Sequence, residues 1–293
     1  MRKLWVVLLV PALAAGCAKA PPTGPQLTAY AQNADPLITS AITVDLVEEV
    51  ADVPQSMPPH IPSGPLAGRV LSVASNAELE LEPGEVVLTF DDGPRPGKTE
   101  VILDTLDAFG VRATFLMLGE AVERHPDLVR AVAQRGHTIG THTFSHTDLA
   151  TLSLSAAMGE MQSGYDAVAA ALDDIGQMPS RFFRFPYLSQ TGLIRASAIE
   201  SDFIVLDVDV DSKDYYKDTS DDVLERTLSR LDVQGQGIVL FHDIHARTVA
   251  MLPAFLNALS ARGYSVVTLR SAPSSVFDNE LVTAGLPGDI EPL

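Results

Sequence analysis

A chain of 293 residues, 46% of them hydrophobic, is long enough for one large buried core with extensions beyond it. Its 38 acidic residues against 20 basic ones leave a net charge of −18, which argues against the basic face that nucleic acid demands and against electrostatic attraction to anionic lipid. The single cysteine, Cys17, excludes an internal disulfide.

The first segment reads as an address. Arg2 and Lys3 precede an apolar run from Leu4 to Ala15, too short for a stable membrane span. The run closes on Leu13-Ala14-Ala15-Gly16-Cys17, the pattern of a bacterial lipobox. Residues 1–16 are therefore expected to be a lipoprotein signal, with Cys17 lipidated and anchoring the mature chain to a membrane. An ordinary secretory signal with an incidental cysteine is the competing reading. Ala18 and Lys19 place no Asp after the cysteine. The expected destination is the outer membrane facing the periplasm in a two-membrane cell, and otherwise the cell surface. Residues 17–67 carry Pro21-Pro22 and Pro58-Pro59 and read as an extended tether. Within it, Leu37 to Val50 is apolar enough for a short helix or a docked strand.

A folded domain is expected over 68–293, with its core over 86–269. Strands are predicted near 86–90, 112–118, 137–141, 182–185, 203–208, 237–241 and 264–268. Helices are predicted near 99–109, 120–135, 154–174, 190–200, 219–233 and 247–261. Pro126 within a first turn, and Gly110, Gly136 and Gly263 just past helix ends, punctuate them. Regular alternation implies parallel strands joined by right-handed crossovers. Polar residues at the strand ends suit a barrel better than an open sheet.

Those strand ends hold the chemistry. Val86-Val87-Leu88 runs into Thr89-Phe90-Asp91-Asp92-Gly93-Pro94, two adjacent carboxylates where a buried strand gives way to a turn. Active sites in α/β folds collect at that end. Successive side chains on an extended strand point to opposite sides, so Asp91 and Asp92 are expected to diverge. His142 and His146, spaced i, i+4, can face one metal ion if their segment turns once like a helix. A carboxylate from another strand end completes a site of two His and one Asp with open coordination positions. Arg184-Phe185-Pro186-Tyr187, Asp211-Ser212-Lys213-Asp214-Tyr215 and Leu240-Phe241-His242-Asp243 end three further strand-like runs. Singly, these read as a surface ion pair, a solvated loop and a core histidine. Together they describe one site.

The five segments, in this order, resemble the motifs of the polysaccharide deacetylases with NodB homology, carbohydrate esterase family four. The resemblance covers roughly Val86 to Leu269 and departs at Tyr215, where the family usually has Trp. It implies an α/β fold, an irregular and incomplete TIM-like barrel of about seven strands. It implies Asp92, His142 and His146 as ligands of one divalent metal, zinc by default with cobalt or nickel accepted. Asp91 is the implied general base, held ionised by Arg184, and His242 the general acid. Asp214 is the family-matched partner of His242, with Asp211 and Asp209 close enough in sequence to compete. The Tyr187 backbone N–H would bind the oxyanion, and Leu240 and Tyr215 would line the pocket. For those last two, plain core packing is an equally good account. His137, Asp243 and His245 are expected to be structural or to support the site residues from behind, and His60 and His125 to lie on the surface. The implied reaction is metal-dependent N-deacetylation of an N-acetylglucosamine polymer or oligomer: chitin-like, peptidoglycan or poly-N-acetylglucosamine. Alternatives are an O-acetyl xylan esterase and a non-catalytic sugar-binding lipoprotein. An iron oxygenase also uses two His and one Asp, but has no purpose for Asp91 beside Asp92.

Overall fold

The computed structural model describes residues 64–272. Cys17, the expected signal, the 37–50 patch and nearly all of the expected tether lie outside the described residues. In chain order the larger elements are β1 (Ala67–Val73), β2 (Glu85–Asp91), α1 (Thr99–Ala108), β3 (Thr114–Met117), α2 (Gly119–Arg124), α3 (Pro126–Gln134), β4 (Thr138–Thr141) and α4 (Leu154–Asp173). They continue with β5 (Phe182–Phe183), α5 (Gly192–Glu200), β6 (Ile204–Val205), β7 (Val210–Asp211), α6 (Ser220–Gln234), β8 (Gly237–His242), α7 (Ala246–Ala261) and β9 (Ser265–Ser271).

Every strand pairing is parallel, as the alternation requires. From β2 the sheet runs through β3, β4 and β5 to β6 on one side, and through β8 to β7 on the other. The result is a curled half-barrel with β2 at its centre. β9 pairs with β2 at Glu85 and Val86 and carries β1 beside it. No pairing among the described residues joins β6 to β7. Arg184 spans this region instead, its Nε donating to the carbonyl of Leu206 at 3.0 Å.

The period of two on β2 sorts its side chains into two layers. Val86, Leu88 and Phe90 pack outward with Ile102 and Leu103 of α1 and Phe255 of α7. Val87 packs inward with Leu116, Phe182, Ile204, Ile238 and Val267. Fully burying such a side chain is worth about 1.5–3 kcal/mol, so both faces hold the strand in register. Phe90 also stacks on Phe115 and Phe241, with ring centroids 5.1 and 5.7 Å away. Thr89 and Asp91 share the inward parity of Val87, which aims Asp91 into the mouth of the half-barrel.

All the predicted strands and helices are present, with three differences. β1 and β7 are additional strands. β5 and β6 are two residues each, because the chain leaves the sheet at once to deliver Arg184 and the Leu206 carbonyl. The helix expected over 120–135 is two, broken at His125, since proline disfavours the α conformation of the residue before it. No described helix is long and apolar enough to cross a membrane.

Candidate active site

Asp91 ends β2 with 1% of its surface exposed. Arg184, equally buried, donates from Nη1 to Asp91 Oδ1 and to Thr89 Oγ1, both at 2.8 Å. The Thr89 hydroxyl in turn donates to the Val239 carbonyl at 2.8 Å. A buried carboxylate is stable only with such partners. Burial pushes the Asp91 carboxyl up, and although Arg184 and His242 pull it down, it stays above its ordinary range.

Asp91 and Asp92 do not diverge. Asp92 adopts φ 76°, a left-handed conformation that Asp tolerates better than most residues, and its carboxylate swings round to the same imidazole as Asp91. His142 Nε2 lies 3.6 Å from Asp92 Oδ1 and 3.9 Å from Asp91 Oδ2. His146 Nε2 lies 3.3 Å from Asp92 Oδ1.

The two histidines converge by a pinned loop, and the expected single helical turn is absent. Thr143 and His146 both have positive φ, at 73° and 59°. Thr143 Oγ1 accepts from the His146 N–H at 3.1 Å. The Glu160 side chain accepts from the backbone and the hydroxyl of Ser145, and the Glu160 carbonyl accepts from the Phe144 N–H. α4 can come this close because residue 164 is glycine: a Cβ there would stand 2.5 Å from the Thr143 carbonyl carbon. The spacing signalled the pair correctly. The device that aims it is tertiary.

These residues fit a divalent ion. Ligand atoms of Asp92, His142 and His146 lie within 4.8 Å of one another. Asp92 Oδ1 is buried without a hydrogen-bond partner, an expensive state unless a cation uses it. The spacings of 3.3 and 3.6 Å match the edge of roughly 3.3 Å expected for a tetrahedron of N and O donors about 2.0–2.1 Å from zinc. His142 Nδ1 faces the Arg184 carbonyl at 2.7 Å, so it carries the proton and leaves the Nε2 lone pair toward Asp92. Burial, with His146 and Arg184 nearby, pushes the His142 pKa down to about 3, keeping the imidazole neutral. Asp214, His242 and His245 form a second convergent group. There the carboxylate already binds the imidazole: His242 Nδ1 and Asp214 Oδ1 are 2.6 Å apart.

That pair occupies the far wall. Asp214 is fully buried and accepts also from the His242 N–H at 2.8 Å and from Thr248 Oγ1 at 2.6 Å. Asp211 and Asp209 face elsewhere, toward Tyr215 and the Ile238 N–H. Burial opposes charge on His242, but the Asp214 hydrogen bond and the charges of Asp214, Asp91 and Asp92 outweigh it and raise the pKa to about 9. His242 Nε2 stands 4.0 Å from Asp92 Oδ2. A cleft of about 330 Å³ joins both walls. Tyr187, Tyr215 and Leu240 line it as expected, Tyr187 edge-on to His146 and Tyr215 edge-on to His242.

Thr89, Thr248 and Glu160 were not singled out from sequence. Thr89 was findable, because it shares the inward face of β2 two residues before Asp91. Thr248 and Glu160 sit on helices and carry no local signal. His137 is structural, as expected: it is buried, edge-on to Phe115, and its Nδ1 accepts from the Ala113 N–H. Asp243 is buried against Gly93 and accepts from Thr99 Oγ1 at 2.6 Å.

The family model for Polysaccharide deacetylase matches residues 79–204, which include Asp91, Asp92, His142, His146 and Arg184 but stop short of Asp214 and His242. The chain is 33% identical over 194 residues to a chitin deacetylase of Pestalotiopsis sp, covering 64% of this chain and 63% of that one. It is 32% identical over 219 residues to a chitin deacetylase of Colletotrichum lindemuthianum, covering 71% of this chain and 86% of that one. A peptidoglycan deacetylase of Bdellovibrio bacteriovorus superposes with a TM-score of 0.61 at 34% identity, over 72% of this chain and 58% of that one. The chain thus spans less than two thirds of the Pestalotiopsis and Bdellovibrio proteins. With most of the Colletotrichum enzyme aligned, and all five motif segments gathered at one mouth of the matching fold, this chain belongs to the polysaccharide deacetylases, carbohydrate esterase family four.

Proposed function

We propose that this protein removes N-acetyl groups from a glycan containing N-acetylglucosamine, using one divalent metal ion held by Asp92, His142 and His146. The observation that carries this reading is the opposed pair of walls. A buried carboxylate held by Arg184 faces an imidazolium held by Asp214 across one small cleft. Amide hydrolysis needs such a base and such an acid. An ion at the triad supplies Lewis acidity and a bound water of pKa about 7. Zinc is the default for this donor set, with cobalt or nickel accepted.

The chain's own residues do the rest. Asp91 accepts the proton of the attacking water, and its raised pKa makes it a stronger base than a surface aspartate. Arg184 fixes the carboxylate in place. His242, charged at neutral pH, donates from Nε2 to the departing amine while Asp214 holds Nδ1. The Tyr187 backbone N–H donates to the carbonyl oxygen as it gains charge. Tyr215 and Leu240 receive the sugar ring and the acetyl methyl. The test is acetate and free amine released from chitooligosaccharides, peptidoglycan and poly-N-acetylglucosamine by the zinc-loaded chain. Equal amounts of both products are expected. No product from any of the three overturns the reading, and acetate well in excess of amine moves it to an O-acetyl esterase.

The cell-envelope setting belongs to the same proposal. A lipid on Cys17 and a Pro-rich tether reaching roughly 40 Å as a coil would hold the domain within range of nearby glycan. The support is the sequence pattern ahead of Ala18. A fatty-acid probe should label the wild-type chain and leave Cys17→Ser unlabelled. Equal labelling of the two, or none of either, makes it a plain secreted enzyme.

A further inference from the structure

A second depression, of about 440 Å³, adjoins the catalytic cleft and shares Asp92 and His146 with it. The two differ in charge. The cleft presents the carboxylates of Asp91, Asp92 and Asp211 against the single charged ring of His242. The adjoining depression presents Arg95 and Arg124 over apolar Leu118 and Ile244, and its only carboxylate is Asp92, one of the three metal-site residues. Arg95 is exposed and, among the described residues, forms no ion pair. The ion pair of Arg124 is a surface contact with Glu120 at 3.5 Å, its side chain 63% exposed. Exposed pairs of that kind hold a side chain only weakly. Both guanidinium groups are therefore available to a ligand.

A cationic depression is unexpected beside the reacting centre of a chain with a net charge of −18. A neutral glycan has no use for it. A polyanionic glycan would be repelled by the rest of the surface and needs a local cationic seat to bind. We infer that this depression is a subsite for a carboxylate borne by the sugar adjoining the scissile N-acetylglucosamine. The preferred substrate is then an anionic N-acetylated glycan of the peptidoglycan kind, and neutral chitin is secondary. This deepens the N-deacetylase reading and rests on it. Arg95 and Arg124 supply planar donor forks suited to a carboxylate. Leu118 and Ile244 give apolar contact for the carbon skeleton that carries it.

The experiment compares three tetrasaccharides on the zinc-loaded full chain. One is chitotetraose. The second is a peptide-free peptidoglycan fragment with its lactyl carboxylates free. The third is the same fragment with its peptides attached, which moves the carboxylates outward. The free-carboxylate fragment should exceed chitotetraose about tenfold in kcat/KM, the size of a charge-assisted contact. The advantage should shrink at 0.5 M salt, where screening is strong. Arg95→Gln with Arg124→Gln should abolish the advantage and leave chitotetraose turnover within about twofold, because these exposed side chains pack against nothing in the core. If the peptide-bearing fragment alone shows the advantage, the carboxylate recognised is on the peptide, and the adjoining-sugar assignment falls. Equal kcat/KM on all three, or a double variant that slows chitotetraose equally, overturns the subsite. Calorimetric affinities of the same ligands separate the two readings. If nothing is hydrolysed yet the free-carboxylate fragment binds tighter through the arginines, the hydrolase reading fails and the subsite stands.

Discussion

His142 and His242 stand on opposite walls beside one carboxylate, Asp92, and the walls drive them to opposite charge. At the end of β4, His142 meets a backbone carbonyl, a second imidazole and the Arg184 guanidinium, and its pKa falls to about 3. At the end of β8, His242 meets the buried Asp214 carboxylate, and its pKa rises to about 9. His142 is buried and His242 largely so, and burial disfavours charge on each. The partner at Nδ1 decides. A carbonyl fixes only the tautomer, which frees Nε2 as a neutral ligand. A carboxylate fixes the charge as well, which loads Nε2 with a transferable proton.

The largest expected effect comes from breaking the neutral wall. His142→Ala should lose bound zinc, by elemental analysis, and reduce kcat/KM about a thousandfold or more, since several kcal/mol of Lewis-acid stabilisation leave with the ion. Retention of stoichiometric metal would falsify the ligand assignment. Asp91→Asn keeps the shape of the wall and removes its proposed base. It should retain zinc and lose about 10²–10⁴-fold in kcat. Metal loss in this variant would instead make Asp91 a ligand.

The charged wall is tested by pH. The folded-state pKa of His242 is raised from 6.5 to about 9, so its stabilising contribution is complete below 6.5 and disappears as pH rises through 9. Asp214 is lowered from 3.8, so its contribution is present above that value and lost as pH falls through its folded-state pKa. In metal-free protein, urea unfolding should therefore find Asp214→Asn weaker than wild type by roughly 2 kcal/mol at pH 6, and by clearly less at pH 9.5, where the His242 charge is lost and the bonds of Asp214 to Thr248 and the His242 N–H remain. A gap of the same size at both pH values would mean that Asp214 acts through packing alone. The smallest effect belongs to the rim. Tyr215→Trp restores the family's usual residue beside His242 and should change kcat/KM within about threefold, because it alters contact area and no charge. A tenfold gain would mean that the tyrosine hydroxyl, bound to Asp211, restrains the site.

The neutral wall was largely legible in sequence, because Asp92 and His142 directly follow two strands, β2 and β4, and His146 converges with them. The charged wall was less so. Asp209, Asp211 and Asp214 lie within six residues, and only the Lys213 turn and the docking of Thr248 select Asp214. The orientation of Asp92 depended on one left-handed residue, which periodicity does not register. β1 was missed because its burial alternates weakly and its partner, β9, lies at the other end of the domain. The division of 120–135 was written in Pro126, which marks the start of α3 and equally the end of α2.

The placement of β2 between β3 and β8 has a consequence for synthesis. Asp92, His142 and His146 have all left the ribosome before any of β8 is made. The emerging chain can assemble the wall of Asp92, His142 and His146 first, with the other edge of β2 still unpaired and open to mispairing. β8 closes that edge and brings His242 in the same event. The proposed proton donor therefore arrives with the strand that makes the sheet safe, and a truncated product lacking β8 would keep Asp92, His142 and His146 while lacking His242 and exposing a sticky edge.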